Sequence, residues 1–308
     1  MNRKLLFAFL LLLSAFSSKA QDVRFNPDTI RTIVIDSPVN IRSHKLNAQD
    51  FIDAVLADTG FYKAFRNMKR YGFTAANDIY TYDKNNKVEG EIHRRIRHSI
   101  VNGKPKTEYL LKQDKGKIYK KNGKYDLYTV EMFDYIFDNA YKSEFSAADP
   151  FEGGGGGKNG SYKAKAKTLI FSPGRRVPGI PFISSKTEIF SSDMRQFYRY
   201  EFARGKYLDT IPVYRFKVIR KSSTSDSDVM INELTTIFDM RDFKILGRYV
   251  DMRFDNIFVD FNVKMNIELV PYNGELLPAK MSYQGNWDIP LHKEERSSFL
   301  ILHKDYHK

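Results

Sequence analysis

The glycine run from Gly153 to Gly157, followed by Lys158, Asn159 and Gly160, is the first stretch whose residue types could do chemistry. A phosphate-binding loop needs Gly, four residues, then Gly-Lys and a hydroxyl residue, so that backbone N–H groups cradle phosphate and the hydroxyl holds magnesium. Gly157-Lys158 fits the centre of that pattern. Glu152 stands where the first glycine belongs and Asn159 where the hydroxyl belongs, and a carboxylate opposes phosphate. Residues 152–162 therefore read as a flexible Gly-rich loop. The six histidines offer no ligand set. His93 and His98 are five apart in a strand pattern and point to opposite faces, and His303 and His307 could share an ion only on a helix, for which nothing there speaks. The absence of cysteine removes disulfides, thiolate metal sites, a Cys nucleophile and an acylated anchor. No Gly-x-Ser-x-Gly elbow is present. The sequence thus predicts no catalytic residue, no metal site and no cofactor, and leans away from an enzyme. A secreted hydrolase using an Asp or Glu pair stays as the alternative, since such pairs are assembled in space rather than in sequence.

Asp58-Thr59-Gly60 has the form of the aspartic-protease triplet, and Ile245-Leu246-Gly247-Arg248 resembles a stretch of retroviral-type proteases. That chemistry needs two carboxylates sharing one proton about 3 Å apart. Asp58 falls in a helical pattern, and the two segments lie too far apart along the chain for one small lobe. The expectation is a helix break bearing a surface aspartate.

The elements that would position any site follow from periodicity. Asn47 to about Tyr71 predicts a helix: Asn47 can cap it, Asp50 suits its first turn, and Phe51, Val55, Phe65 and Met68 recur at helical spacing. Gly60 is a natural break. Thr129 to about Lys142 predicts a second helix with Val130, Phe133, Ile136, Phe137 and Tyr141 on one stripe. Between them, 74–128 reads as a meander with turns at Asn102-Gly103 and Asn122-Gly123. Val88, Ile92, Ile96 and Ile100 take one face there, and Glu89, Glu91, His93, Arg95 and Arg97 the other. Beyond Ser161 almost everything reads as strand. Ile257, Val259, Phe261, Val263, Met265, Ile267 and Leu269 alternate with mainly polar residues, the mark of a long antiparallel strand with one wet face. Asn273-Gly274 turns the chain into a returning strand around Ala279, Met281 and Tyr283. The fold class expected is mainly β (α+β): a large bent antiparallel sheet or half-barrel with two helices on its concave face. As an organisation this gives a signal peptide at 1–20, an extended lead-in at 21–46, a single β-rich domain at 47–303 and a tail at 304–308.

Asn2, Arg3 and Lys4, the apolar run Leu5 to Phe16, and Ser18-Lys19-Ala20 have the build of a secretory signal peptide. Export would lower the formal net charge from +13 to +10. A basic chain suggests polyanions, and an exported one meets anionic lipid and acidic glycan rather than nucleic acid. The lysines and arginines read as scattered, which fits plain solubility charge. The remaining feature is aromatic load. Phe197, Tyr198, Tyr200, Phe202, Tyr207, Tyr214 and Phe216 crowd one strand pair, as in either an ordinary sheet core or an apolar groove. In the groove reading the ligand-binding residues are Phe65, Phe137, Tyr200, Phe202, Tyr214 and Phe216.

The order of elements resembles the half-barrel of the outer-membrane lipoprotein carrier and receptor proteins. Thr236-Ile237-Phe238-Asp239-Met240-Arg241-Asp242-Phe243-Lys244-Ile245 is similar to the strand, Asp-turn, strand units of those sheets. Tyr283-Gln284-Gly285-Asn286-Trp287-Asp288 looks like late strands of exported Gram-negative proteins. The resemblance covers Asn47 to His303. It implies a non-enzymatic binding protein of the periplasm or outer membrane, handling a lipid, a lipoprotein or an outer-membrane protein, with no transmembrane helix after the leader. A structural or interaction module of an envelope complex is the other non-enzymatic reading. The family also implies a pocket arginine, to which the sequence alone assigns no residue.

Overall fold

The structure is a computed structural model that describes residues 36–40, 46–133, 171–177, 184–256, 259–288 and 293–308. The expected leader, the glycine run and Phe137 lie outside the described residues, as do Ile257 and Phe258.

Among the described residues, eleven antiparallel strands form one open sheet. Their residues are β1 Asp36–Asn40, β2 Gly72–Tyr82, β3 Val88–Val101, β4 Lys104–Gly116, β5 Tyr198–Tyr207, β6 Ile211–Arg220, β7 Ile231–Asp239, β8 Ile245–Asn256, β9 Val259–Tyr272, β10 Glu275–Asp288 and β11 Glu295–His307. The order across the sheet is β1-β5-β6-β7-β8-β9-β10-β11-β2-β3-β4. Two meanders, β2 to β4 and β5 to β11, are joined where β11 pairs with β2, and β1 and β4 are the edges. Short turns explain the hairpins: Asn102-Gly103 has φ of 51° and 72°, and Asn273-Gly274 has φ of 49° and 76°, as a type I′ turn requires. The β5–β6 turn is made without glycine, by Leu208, Asp209 and Thr210, the first two at φ of 49° and 61°, and Asp209 is its one characteristic turn residue.

The first helical stretch is two helices. Helix α1, Ala48–Ala57, starts on a capping box: the Asn47 side chain accepts from Gln49 and Asp50 N–H, and Asp50 accepts in return from Asn47 N–H at 2.8 Å. Helix α2, Gly60–Asn67, begins at the expected break and runs into a 3-10 turn at Met68–Arg70. Helix α3, Tyr128–Phe133, is the described start of the second predicted helix. Its Thr129 N–H and hydroxyl both donate to Glu295, and Phe133 meets Phe299 of β11 at 4.9 Å. A four-residue helix, α4 at Ser192–Arg195, precedes β5 in a region expected to be strand.

Register assigns the two faces. Phe261, Val263, Met265, Ile267 and Leu269 of β9 are all buried, as their alternation predicts. The inner face they define continues through Met281 and Tyr283 of β10, Phe299 and Ile301 of β11 and Ile79 of β2. Ile79 of β2 and Phe216 of β6 belong to one contiguous core with Phe51, Phe61 and Phe65 of the helices. Six strand steps separate β2 from β6, roughly 29 Å on a flat sheet, so the sheet must curl around the helices. Helix α2 lies against β10 and β8.

Four expectations change. On β3 the buried face carries Arg94 and His98 beside Ile92 and Ile96, while Ile100 at its end is 37% exposed. On β10 a register shift at Ala279 breaks the alternation, and Ser282 and Gln284 are buried on the outer face. Asn266, expected on the wet face of β9, is buried there too, donating to Glu268 at 2.8 Å. Strand β11 runs to His307, through residues expected to form a tail.

Candidate functional site

The aromatic strand pair forms the floor of the site. Tyr200 and Phe202 of β5 face inward with Tyr214 and Phe216 of β6, because Phe202 pairs with Phe216 and Arg204 with Tyr214 across the ladder. Helix α1 sets Phe51, 1% exposed, into their midst. Its ring lies 5.2 Å from Phe202, 5.3 Å from Phe216, 5.7 Å from Tyr214, and 5.5 Å from both Phe238 and Phe243. Phe243 holds φ at 59°. A bulky side chain in the left-handed region is strained, and here the strained turn directs its ring onto Phe51. Four of the predicted residues are thus brought together. Phe65 is buried elsewhere, 5.0 Å from Phe171 on the neighbouring segment. Phe51 is the residue the sequence hid, because its helical stripe reads as ordinary core.

Two rungs from Phe216 the inner face turns polar. Phe216 pairs with Thr236, and Thr236 with Arg248 of β8, about 10 Å away at ordinary strand spacing. The Arg248 side chain is 1% exposed and its guanidinium lies over the Phe61 ring at 4.5 Å. Nη1 donates to the Phe171 carbonyl at 2.9 Å. Nη2 faces Asp58 at 3.7 Å, too long for a hydrogen bond. Among the described residues Nε and Nη2 have no hydrogen-bond partner, and neither do the buried hydroxyls of Thr236 and Tyr200. Burial pulls the Arg248 pKa down to about 10, against the opposing pull of Asp58, so it stays charged at neutral pH.

Asp58 therefore does not stand on the surface as expected. It closes the joint between the helices, accepting from Gly60 N–H at 2.9 Å and Phe61 N–H at 3.2 Å while facing Arg248. The Asp58-Thr59-Gly60 and Ile245-to-Arg248 segments, too far apart along the chain for one small protease lobe, meet through this ion pair. The pairing is carboxylate with guanidinium, not the two carboxylates that protease chemistry needs. Arg175 adds a second tie, donating to the Leu56 carbonyl. The joint of α1 and α2, the segment around Phe171 and strand β8 are thereby fastened at one point.

The carboxylates that align elsewhere are Asp255, Asp260 and Asp288, opposite one another at one end of β8, β9 and β10. Desolvation, then Asp255, raises the Asp260 pKa. Asp255 and Asp288 are exposed, so the row does not line a closed cleft. Among the described residues no group of three or more His, Asp or Glu has metal-binding geometry, and no helix is long and apolar enough to cross a membrane.

No protein-family model matches the chain, and no curated protein matches it. Among solved structures, a domain from Vibrio parahaemolyticus named for outer membrane lipoprotein sorting is similar over 80% of this chain and 90% of its own length, at 9% identity and a TM-score of 0.25.

Proposed function

We propose that this chain is an exported, non-enzymatic protein of the cell envelope that binds a lipid or an acylated partner between its helices and the inner face of its sheet. The observation that carries this reading is the juxtaposition of an aromatic floor with a buried, incompletely bonded arginine. An amphiphile has both parts: an apolar chain suits Tyr200, Phe202, Tyr214 and Phe216, and an anionic or carbonyl head group suits Arg248. In the closed arrangement Phe51 occupies the place of the chain, and Asp58 with the Phe171 carbonyl occupies the place of the head group. Ligand entry then exchanges like for like, which keeps its free-energy cost low. A charge buried without full hydrogen bonding is an expensive way to build a plain core, and that supports a binding role over a purely structural one. The N-terminal leader pattern supports export.

The test is uptake of an environment-sensitive acyl probe by the purified chain. The folded parent should bind it. Phe202→Asp should abolish binding, and Arg248→Met should weaken binding of an acyl carboxylate while sparing a neutral alkyl probe. A folded parent that takes up neither probe would refute the reading.

A further inference from the structure

The β3–β4 hairpin and the loop behind it stand apart from the site above. Residues 100–124 hold eight lysines and two carboxylates, a net +6 of the whole chain's +13. The expectation of scattered charge fails here. Both carboxylates are already neutralised from β3: Arg97 meets Glu108 at 3.3 Å, and Arg94 meets Asp114. Lys115 and Lys117 approach Glu91 and Glu89 at 3.9 and 3.5 Å. Lys104, Lys106, Lys120, Lys121 and Lys124 are exposed with no carboxylate partner among the described residues, and Lys112 lies over the Tyr109 ring at 5.7 Å.

Among these lysines the hairpin exposes large apolar side chains. Val101 is 48% exposed, and Tyr109, Leu110 and Leu111 are 41%, 49% and 41% exposed. The last three lie on the edge strand β4. Register shifts at Leu110, since Ile96 pairs with Tyr109 and Arg95 with Leu111. The bulge adds an apolar residue to the edge and breaks the regular ladder that an added strand would need. Lysines along the edge oppose strand addition as well. A protein strand is therefore a poor occupant. Cations around exposed Leu and Tyr side chains instead match the boundary of an anionic bilayer, where lysines meet head groups and apolar tips enter the acyl margin.

We propose that the β3–β4 hairpin docks this chain onto an anionic lipid bilayer surface, with Lys104, Lys106 and Lys112 on the head groups and Tyr109, Leu110 and Leu111 in the interface. This surface does not rest on the interior site, and the two are tested apart. The experiment is co-sedimentation with phosphatidylcholine vesicles made with and without phosphatidylglycerol. The parent should bind the anionic vesicles alone, and less as salt rises. Lys104→Glu/Lys106→Glu/Lys112→Glu should weaken binding about 100-fold or more, since each lysine near such a surface counts for about a fivefold factor. Leu110→Asp/Leu111→Asp should weaken it too, with Leu110→Ser as a milder second variant. A charge-matched control, Lys63→Glu/Lys206→Glu/Lys304→Glu, should bind nearly as the parent does. Melting curves and acyl-probe uptake should be unchanged in the hairpin variants. Failure of the parent to bind, a lysine or leucine variant that sediments like the parent, or equal loss in the control would each overturn the proposal.

Discussion

Strands β5 and β6 and strands β3 and β4 are both antiparallel hairpins with two successive positive-φ residues in the turn, yet they have opposite fates. In the first, Phe202, Tyr214 and Phe216 close on Phe51 of α1, and Tyr200 stacks on Phe216. In the second, Tyr109, Leu110 and Leu111 stand in the open among lysines. The first pair is the more apolar, with 11 of its 20 strand residues against 8 of 27, but composition does not by itself leave Tyr109, Leu110 and Leu111 in the open. What differs is the cover: α1 reaches the inner face of β5 and β6, whereas nearly every residue of β4 is exposed. An aromatic strand is a core element only where another element closes over it. Where nothing does, the same residue types become a surface that must meet something else.

The largest effect that would test this division is a charge placed on each side of it. Phe261→Asp puts an unpaired carboxylate in the inner face and should cost several kcal/mol, enough to unfold the chain in denaturant melts. Leu110→Asp should shift stability by about 0.5 kcal/mol or less. Equal effects would erase the contrast.

Next is the fastening point of the helices. Asp58→Ala strands the buried Arg248 and removes the acceptor for Gly60 and Phe61 N–H, so about 3 kcal/mol should be lost. Arg248→Met/Asp58→Asn removes both charges and should lie within about 1 kcal/mol of the parent. A double variant as damaged as Asp58→Ala would mean that packing, not the charge, sets the cost.

Acid probes the join between the two meanders. Phe73 of β2 is stacked on His98 at 4.7 Å and meets His303 edge-on at 5.4 Å, and both imidazoles are buried. Burial lowers both pKa values, that of His303 to about 3. An unfolded chain, with histidine near 6.5, binds more protons below that pH. Stability should therefore be full above about pH 6.5 and fall as pH drops toward the folded values, by about 3 kcal/mol at pH 4 from His303 alone. Thermal melts of the parent and His303→Gln across this range would check it, the variant showing a flatter profile.

The smallest effect sharpens the joint. The Gly60 backbone is helical, and an added methyl would meet only the Asp58 carboxylate at 3.4 Å. Gly60→Ala should stabilise by up to about 1 kcal/mol while slowing acyl-probe uptake. Loss of stability would place strain at this joint.

Much of the fold is legible in local pattern. The Asn47 cap, the Asn102-Gly103 and Asn273-Gly274 turns and the alternation from Phe261 to Leu269 each depend on neighbours a few residues away. What stayed hidden depends on distant ones. Asp58 and Arg248 meet only because the sheet carries β8 beneath the helix joint. Arg94 and His98 lie on a buried face because β3 runs between β4 and β2, where Asp114 of β4 and the Tyr71 carbonyl just before β2 receive them. The bulge at Ala279 is a change of register, which composition does not encode. Of the candidate site, the strand aromatics were readable as a crowd, but Phe51 and Arg248 become part of it only through the helix and the third dimension.

The most direct measurement of the central claim is hydrogen exchange by mass spectrometry, with and without an excess of a lysophospholipid. If the ligand enters between helices and sheet, amides of residues 48–67 should exchange faster as α1 and α2 are displaced. Those of β5 and β6 should exchange more slowly as the ligand covers them, and β9 and β10 should stay unchanged. Exchange that is identical in every segment, or altered only over residues 100–124, would contradict an interior site.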